Sequence, residues 1–316
     1  SDANSEQPAL QNQEEPITWS NDQLTADLSM QGNSLYFALH GTGLMALDRE
    51  TGETTVRLPD ADAVFQLRRS GDGLHCLDLR SGSVYGIDGD QIASLGTLAL
   101  DTKQDNSFVG VWDTTGYWLA ARLQDAEKPT FSLMAQRLPG TEVQTCFSED
   151  GICVASAILS GRFYWGDGES AIRWFDLATE EKGVLSVIEP ETTACTFFED
   201  MILTVSDGSL YRVSYADGSK TPLQGISGII SSDALGRWGT RLYFNVMEAD
   251  DPIMGGSSKC VCYDMQTAEF KTISTEADLC AATELYATED ALFYLFPTKE
   301  GPVLQCLDLI SGEIMR

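Results

Sequence analysis

The sequence predicts an all-β fold, a seven-bladed β-propeller of four-stranded antiparallel blades, and three observations carry that reading. A degenerate unit returns about every 40 residues from Leu24 to the C-terminus, a period that belongs to solenoids, propellers and arrays. Its apolar segments are short and rich in β-branched and aromatic residues, without helical spacing. Turn-forming residues stand at fixed places between those segments.

The unit is clearest from Leu35 to Leu58 and from Leu292 to Arg316. Each stretch has an apolar strand, a loop, a second strand ending in Leu-Asp, a tight turn and a short final strand. Another strand and turn precede it, as in Thr193 to Val205, so one unit is a four-stranded meander with strands A to D. The A strands are expected to start near Leu24, Ala63, Ser107, Val143, Thr192, Ile229 and Cys280. Four short strands per unit is the composition of a propeller blade. A single meander cannot bury both of its faces, so blades must stack face to face around an axis. Continuous apolar runs such as Leu35–Leu39 and Leu292–Phe296 fit strands covered on both sides.

Turn chemistry supports the same division. Strand C ends in Asp, followed after two residues by Thr or Ser, then Gly and Glu, at Asp48–Glu53 and Asp308–Glu313. Asp and Thr side chains bond nearby backbone N–H groups, and Gly supplies the positive φ that leads into strand D. Asp176 and Asp264 keep the frame without the Gly. Glu149-Asp150, Glu199-Asp200 and Glu289-Asp290 read as A–B turns of blades four, five and seven. Residues 1–16 are polar and read as a flexible leader, with residues 17–316 forming the single propeller. Either Ile17-Thr18-Trp19 or Glu313 to Arg316 is expected to supply the strand that closes the ring.

Forty-eight acids against 20 bases give a formal charge of −28. That balance argues against nucleic acid and against anionic membrane surfaces, and favours solubility or a cationic partner. No apolar run is long enough for insertion into a membrane. A polar leader ahead of a propeller suggests an exported, surface-tethered bacterial protein whose signal has been removed. Glu248–Asp251 and Asp88–Asp90 are acid-rich but lack the alternating ligand frame of a calcium loop. The eight cysteines sit mostly within strands and read as small buried hydrophobes, and neither metal nor cofactor is expected. If Glu149-Asp150 is a hairpin tip, Cys146 and Cys153 face each other across it, and a disulfide there is open.

Catalytic signals are sparse. His40 and His75 are the only histidines, and both read as strand packing residues. No nucleophile elbow, metalloprotease helix, P-loop or dinucleotide fingerprint is present. Loop length points to a binding site instead. Blade five has a minimal B–C turn at Asp207-Gly208, flanked by long loops at Ser160–Ala171 and Met247–Lys259. Two tall loops around a short one make a notch on the face that carries ligands in many propellers. Arg162, Phe163, Tyr164 and Trp165 form one wall, and Glu248, Asp250, Asp251, Ile253 and Met254 the other. The aromatics suit a binding hot spot, with cover for the neighbouring blade as the structural alternative. Trp112, Tyr117 and Trp118 read as blade packing.

The Leu-Asp-x-x-Thr/Ser-Gly-Glu turns at Leu47–Glu53 and Leu307–Glu313 resemble the repeats of quinoprotein-like (PQQ-like) propellers. Leu210 to Gly218 is similar to repeats of exported bacterial propeller domains of unknown function. The resemblance implies the fold and a role as scaffold or surface-binding module. Quinone chemistry is not implied, because the docking Trp after each turn and the adjacent cysteine pair are missing. The expected function is a non-catalytic module binding protein or glycan on the B–C loop face. The alternatives are a carbohydrate-active enzyme with paired carboxylates at the central channel, or an envelope assembly scaffold.

Overall fold

Seven separate four-stranded antiparallel meanders make up the computed structural model, which describes residues 23–24, 27–39, 41–60, 62–71, 73–122, 128–188, 192–226, 229–247 and 257–315. Blade one comprises β1 (Leu28–Gln31), β2 (Ser34–Leu39), β3 (Gly43–Asp48) and β4 (Thr54–Pro59). Blade two follows with β5 (Phe65–Ser70), β6 (Gly73–Asp78), β7 (Ser83–Asp88) and β8 (Gln91–Thr97). Blade three has β9 (Asp105–Trp112), β10 (Thr115–Arg122), β11 (Thr130–Arg137) and β12 (Val143–Asp150). Blade four has β13 (Ala155–Leu159), β14 (Arg162–Gly166), β15 (Ala171–Asp176) and β16 (Lys182–Val187). Blade five has β17 (Thr192–Phe197), β18 (Ile202–Ser206), β19 (Ser209–Val213) and β20 (Lys220–Pro222). Blade six has β21 (Ile229–Trp238), β22 (Arg241–Met247), β23 (Ser258–Asp264) and β24 (Phe270–Ser274). After the short helix α1 (Ala277–Cys280), blade seven has β25 (Glu284–Ala287), β26 (Ala291–Thr298), β27 (Gly301–Asp308) and β28 (Ile314–Met315). No helix among the described residues is long and apolar enough to cross a membrane.

The core is divided among the seams. Seven apolar clusters each join two consecutive blades, and the last joins blade seven to blade one. Side chains alternate across a strand, so each strand feeds two seams. Leu35 and Phe37 pack toward blade seven while Tyr36 packs toward blade two. This explains the continuous apolar runs, since both faces of a blade meet a neighbour.

The C–D turns are built as the sequence implies. Asp48 accepts from the N–H groups of Glu50 and Thr51 at 2.8 and 2.9 Å, and Asp308 repeats this with Ile310 and Ser311. Gly52 and Gly312 carry φ of 71° and 75°. Where the Gly is absent, Glu180 and Ala268 take φ of 61° and 58°. The A–B turns at Glu199-Asp200 and Glu289-Asp290 are present.

Several expected strand starts and the disulfide are corrected. Val143–Asp150 is the D strand of blade three, so blade four starts at Ala155 and Glu149-Asp150 is no hairpin tip. Cys146 and Cys153 therefore do not face each other across a turn, and all eight thiols are free. Leu24 does not open blade one, which starts at Leu28, and Cys280 ends α1 and does not open blade seven, which starts at Glu284. The polar leader 1–16 and the Ile17–Trp19 closing strand lie outside the described residues, whereas Ile314–Met315 forms the last strand of blade seven.

Residues around Leu24 instead lie against the inner strands. Leu24 donates its N–H to the Phe197 carbonyl of blade five at 2.8 Å and accepts from the Arg69 N–H of blade two at 3.2 Å. Gln23 adds an isolated antiparallel bridge to Phe198. Blades two and five stand nearly opposite in a ring of seven, so this strap spans the bore.

Candidate functional site

Inner strands of a propeller converge on the axis, and the strap closes part of that space. What remains is a cavity of about 550 Å3, floored by Gln23 and Arg68. Its walls come from inner strands β9, β13, β17 and β25, from β10 and β11 of blade three, and from the connection Gly151–Val154 between blades three and four. Phe108, Leu119, Phe131 and Ala194 make those walls largely apolar. Ile152 and Val154 stand at the rim, 43 % and 36 % exposed. Asp105, Asn106, Thr283 and Glu284 add polar groups.

Arg68 is held rather than free. Its guanidinium donates to Asp27 Oδ1 at 2.9 Å, to the Phe108 carbonyl at 3.1 Å and to the Leu67 carbonyl at 2.5 Å. Asp27 also accepts from the Leu67 N–H at 2.8 Å, and Gln66 accepts from the Phe108 N–H at 2.7 Å. These bonds tie the start of blade one, blade two and blade three together below the cavity. A cation so engaged has little capacity left for an anionic ligand.

The thiols of Cys153 and Cys195 line the cavity. Burial pushes the Cys153 thiol up to about 12, so it is protonated and unreactive at neutral pH. His75 lies outside the cavity, and burial followed by the charge of Arg69 pulls its imidazole down to about 4. Its neighbour Ser70 sits 3.4 Å from Nδ1, but that hydroxyl already donates to the Val111 carbonyl and accepts from the Val111 N–H. The pair is a seam bond and not a nucleophile with its base. Asp48, Asp176, Asp217 and Asp308 sit below the usual carboxylate range because backbone N–H groups bond them, first Thr51, Thr179, Ser219 and Ser311 respectively. Their departures hold turns in shape and supply no general acid.

The sequence-predicted wall is dismantled by the blade-four register. Arg162 to Trp165 belong to β14, and only Asp167 to Ser170 make the B–C turn. Phe163 and Trp165, 0 % and 1 % exposed, pack toward blade three, while Tyr164 at 5 % packs toward blade five against Tyr215. Arg162 stacks over Trp174 at 4.6 Å and pairs with Asp176 at 3.3 Å. The structural alternative, cover for neighbouring blades, is what these aromatics do. Glu248, Asp250, Asp251, Ile253 and Met254 lie outside the described residues, as does His40. Trp118 packs in the seam between blades two and three, and Tyr117 in the seam between three and four.

The cavity residues escaped the sequence reading. On sequence alone Gly151–Val154 reads as part of blade four and Leu24 as the start of a strand. The available signal was Leu24 itself, a large apolar residue isolated among polar ones just ahead of the first strand.

No family model matches the chain, and no curated protein matches it significantly. Solved structures do match. An oligogalacturonate lyase from Vibrio parahaemolyticus superposes with a TM-score of 0.65 over 93 % of each chain at 11 % identity. A second oligogalacturonate lyase, in complex with manganese, gives 0.64 over 89 % of each chain, also at 11 % identity. A puromycin-hydrolysing peptidase from Mycobacterium tuberculosis gives 0.60 at 12 % identity over 94 % of this chain and 52 % of the peptidase, about half its length. At such identities the likeness is one of fold. Among the described residues, no group of three or more His, Cys, Asp and Glu converges as a metal site would.

Proposed function

We propose that this propeller is a non-catalytic binding module that takes a protein segment at the mouth of its bore. The observation that carries the reading is the 550 Å3 cavity, largely apolar in its walls, in which Arg68 is already paired with Asp27. Pockets of this kind, apolar with a few polar groups, suit side chains of a partner. A glycan is the weaker choice, because the aromatic platform expected for sugar stacking is buried in two seams. Turnover of an oligogalacturonate is weaker still. That substrate is polyanionic, the chain carries −28, and Arg68 is committed to Asp27. Export and tethering at a bacterial surface belong to the same proposal and rest on the similarity of Leu210 to Gly218 to repeats of exported bacterial propeller domains.

A combined peptide and glycan array, probed with wild type and Val154→Glu, tests the reading. Val154 is exposed enough to be replaced without unfolding the blade. Peptide hits that disappear in the variant support a binding module. Hits confined to glycans, or peptide hits that survive the substitution, overturn it.

A further inference from the structure

The seam between blades two and three opens into a second space, away from the bore. It is a groove of about 1110 Å3 beside the A–B turns, and its floor is glycine at positions 71, 73 and 96. A Cβ at Gly73 would stand 2.8 Å from the His75 ring, and one at Gly96 would stand 3.1 Å from Leu138 and Pro139. Bare backbone therefore lets those side chains lie close along the floor. Trp112 forms one wall. Its indole is half-buried against the cluster between blades three and four, with Gly71 of blade two and Gly161 of blade four beside it. Leu95, Leu138 and Pro139 face it from the other side.

Among the described lining residues of the groove, Asp113 carries the charge. Asp113 is exposed at the rim, held at φ 45° in the A–B turn, and no Lys or Arg is among the described lining residues. Arg69, whose charge reaches His75, is engaged on blade one, donating to Ser29 and to the Met30 carbonyl. We propose that this groove binds the cationic side chain of a partner, a guanidinium or ammonium, between the Trp112 indole and the Asp113 carboxylate. An indole attracts a cation through its ring quadrupole, and a nearby carboxylate adds direct pairing. The protein makes the same contact within itself, where Arg162 lies over Trp174 and pairs with Asp176. His75 stays neutral at physiological pH, its imidazole held down to about 4, and so does not repel the ligand. The chain's charge of −28 draws cations toward every face. This site is independent of the bore, and either can fail alone.

Calorimetric titration with N-acetyl-arginine amide tests it, with the neutral N-acetyl-citrulline amide as control. Asp113→Asn is the first variant, because Asn keeps the shape and tolerates the left-handed φ. Trp112→Leu removes the π face, and Trp112→Phe returns one in case the leucine variant misfolds. The expected result is saturable binding of the arginine probe, about tenfold weaker binding of citrulline, and about fivefold loss with Asp113→Asn or Trp112→Leu. Trp112→Phe should recover part of that loss. Absence of saturable heat with folded wild type overturns the proposal. So does equal affinity for citrulline, or affinity unchanged in both Asp113→Asn and Trp112→Leu.

Discussion

Two seams of this ring solve the same packing problem with different means. Between blades three and four, Phe131, Phe147, Phe163, Trp165 and Phe175 pack in stacked, tilted and edge-to-face pairs with ring centroids 4.9 to 6.3 Å apart. Between blades seven and one, aliphatic residues and Phe37, Tyr286 and Phe293 fill the seam, beside a cleft of about 390 Å3. The Arg49–Asp290 pair at 2.8 Å crosses that second seam. A covalent connection joins blades three and four, whereas blades seven and one meet from distant parts of the sequence. Among the described residues, each of these two sheets is built from its own four consecutive strands, so neither completes the other. Side chains and the strap across the bore must then do what interlocked strands would do. The lesson is that closure of this ring rests on side-chain packing at the seam between blades seven and one.

The largest effect should come from the dense seam. Trp165→Ala is expected to cost about 4 kcal/mol, because a fully buried indole leaves a cavity that neighbours cannot fill. Phe293→Ala, in the seam with the cleft, is expected to cost about 2 to 3 kcal/mol, since its surroundings have room to relax. Urea unfolding midpoints of the two variants decide the matter. Equal costs would dissolve the contrast between the seams.

Acid provides the next test, at a third seam. The His75 imidazole falls from its ordinary 6.5 to about 4 in the folded chain, through burial first and Arg69 second. The unfolded state therefore binds the proton more readily between those values. Stability contributed by the neutral ring is complete above about pH 6.5, declines as pH falls, and is gone near pH 4. The loss amounts to at most about 3 kcal/mol. Unfolding measured from pH 7.5 to 4 should show that slope in the wild type and lack it in His75→Gln. An unchanged slope would place the acid sensitivity at another group.

The strap comes third. Leu24→Ala should cost about 2 to 3 kcal/mol, because Leu24 is 2 % exposed and packs with Phe197 and Ile202 at the seam between blades four and five. Limited proteolysis should open the ring faster in this variant. A cost below about 0.5 kcal/mol would mean that the strap lies in the bore without bracing it.

How much of this was legible follows from what each feature rests on. The seven blades could be read because turn chemistry is local: Asp48 and Asp308 bond backbone two and three residues ahead. The register of blade four could not. Glu149-Asp150 has the same residues as the true turn at Glu199-Asp200, yet β12 continues through it because β11 offers ladder partners as far as Thr130. That single displacement turned Phe163, Tyr164 and Trp165 from strand into loop and created the notch. Their alternation between two seams reveals the strand, but only once both neighbouring blades are known. The bore cavity was illegible for a related reason. Gln23, Arg68, Phe108 and Thr196 are distant in sequence, and only ring closure brings them together.

The smallest expected effect belongs to the most visible contact of the loose seam. Arg49 and Asp290 are 29 % and 55 % exposed, so water screens the pair and both side chains lose freedom by forming it. A double-mutant cycle with Arg49→Met and Asp290→Asn should give a coupling of about 0.5 kcal/mol, falling further in high salt. Arg49 also reaches Thr288 at 3.4 Å, so Arg49→Met should cost slightly more than Asp290→Asn. A coupling near 2 kcal/mol would reverse the interpretation of this seam. The ring would then be latched by charge, its cleft would be tolerated because the latch holds, and Phe293→Ala would lose most of its effect at low salt.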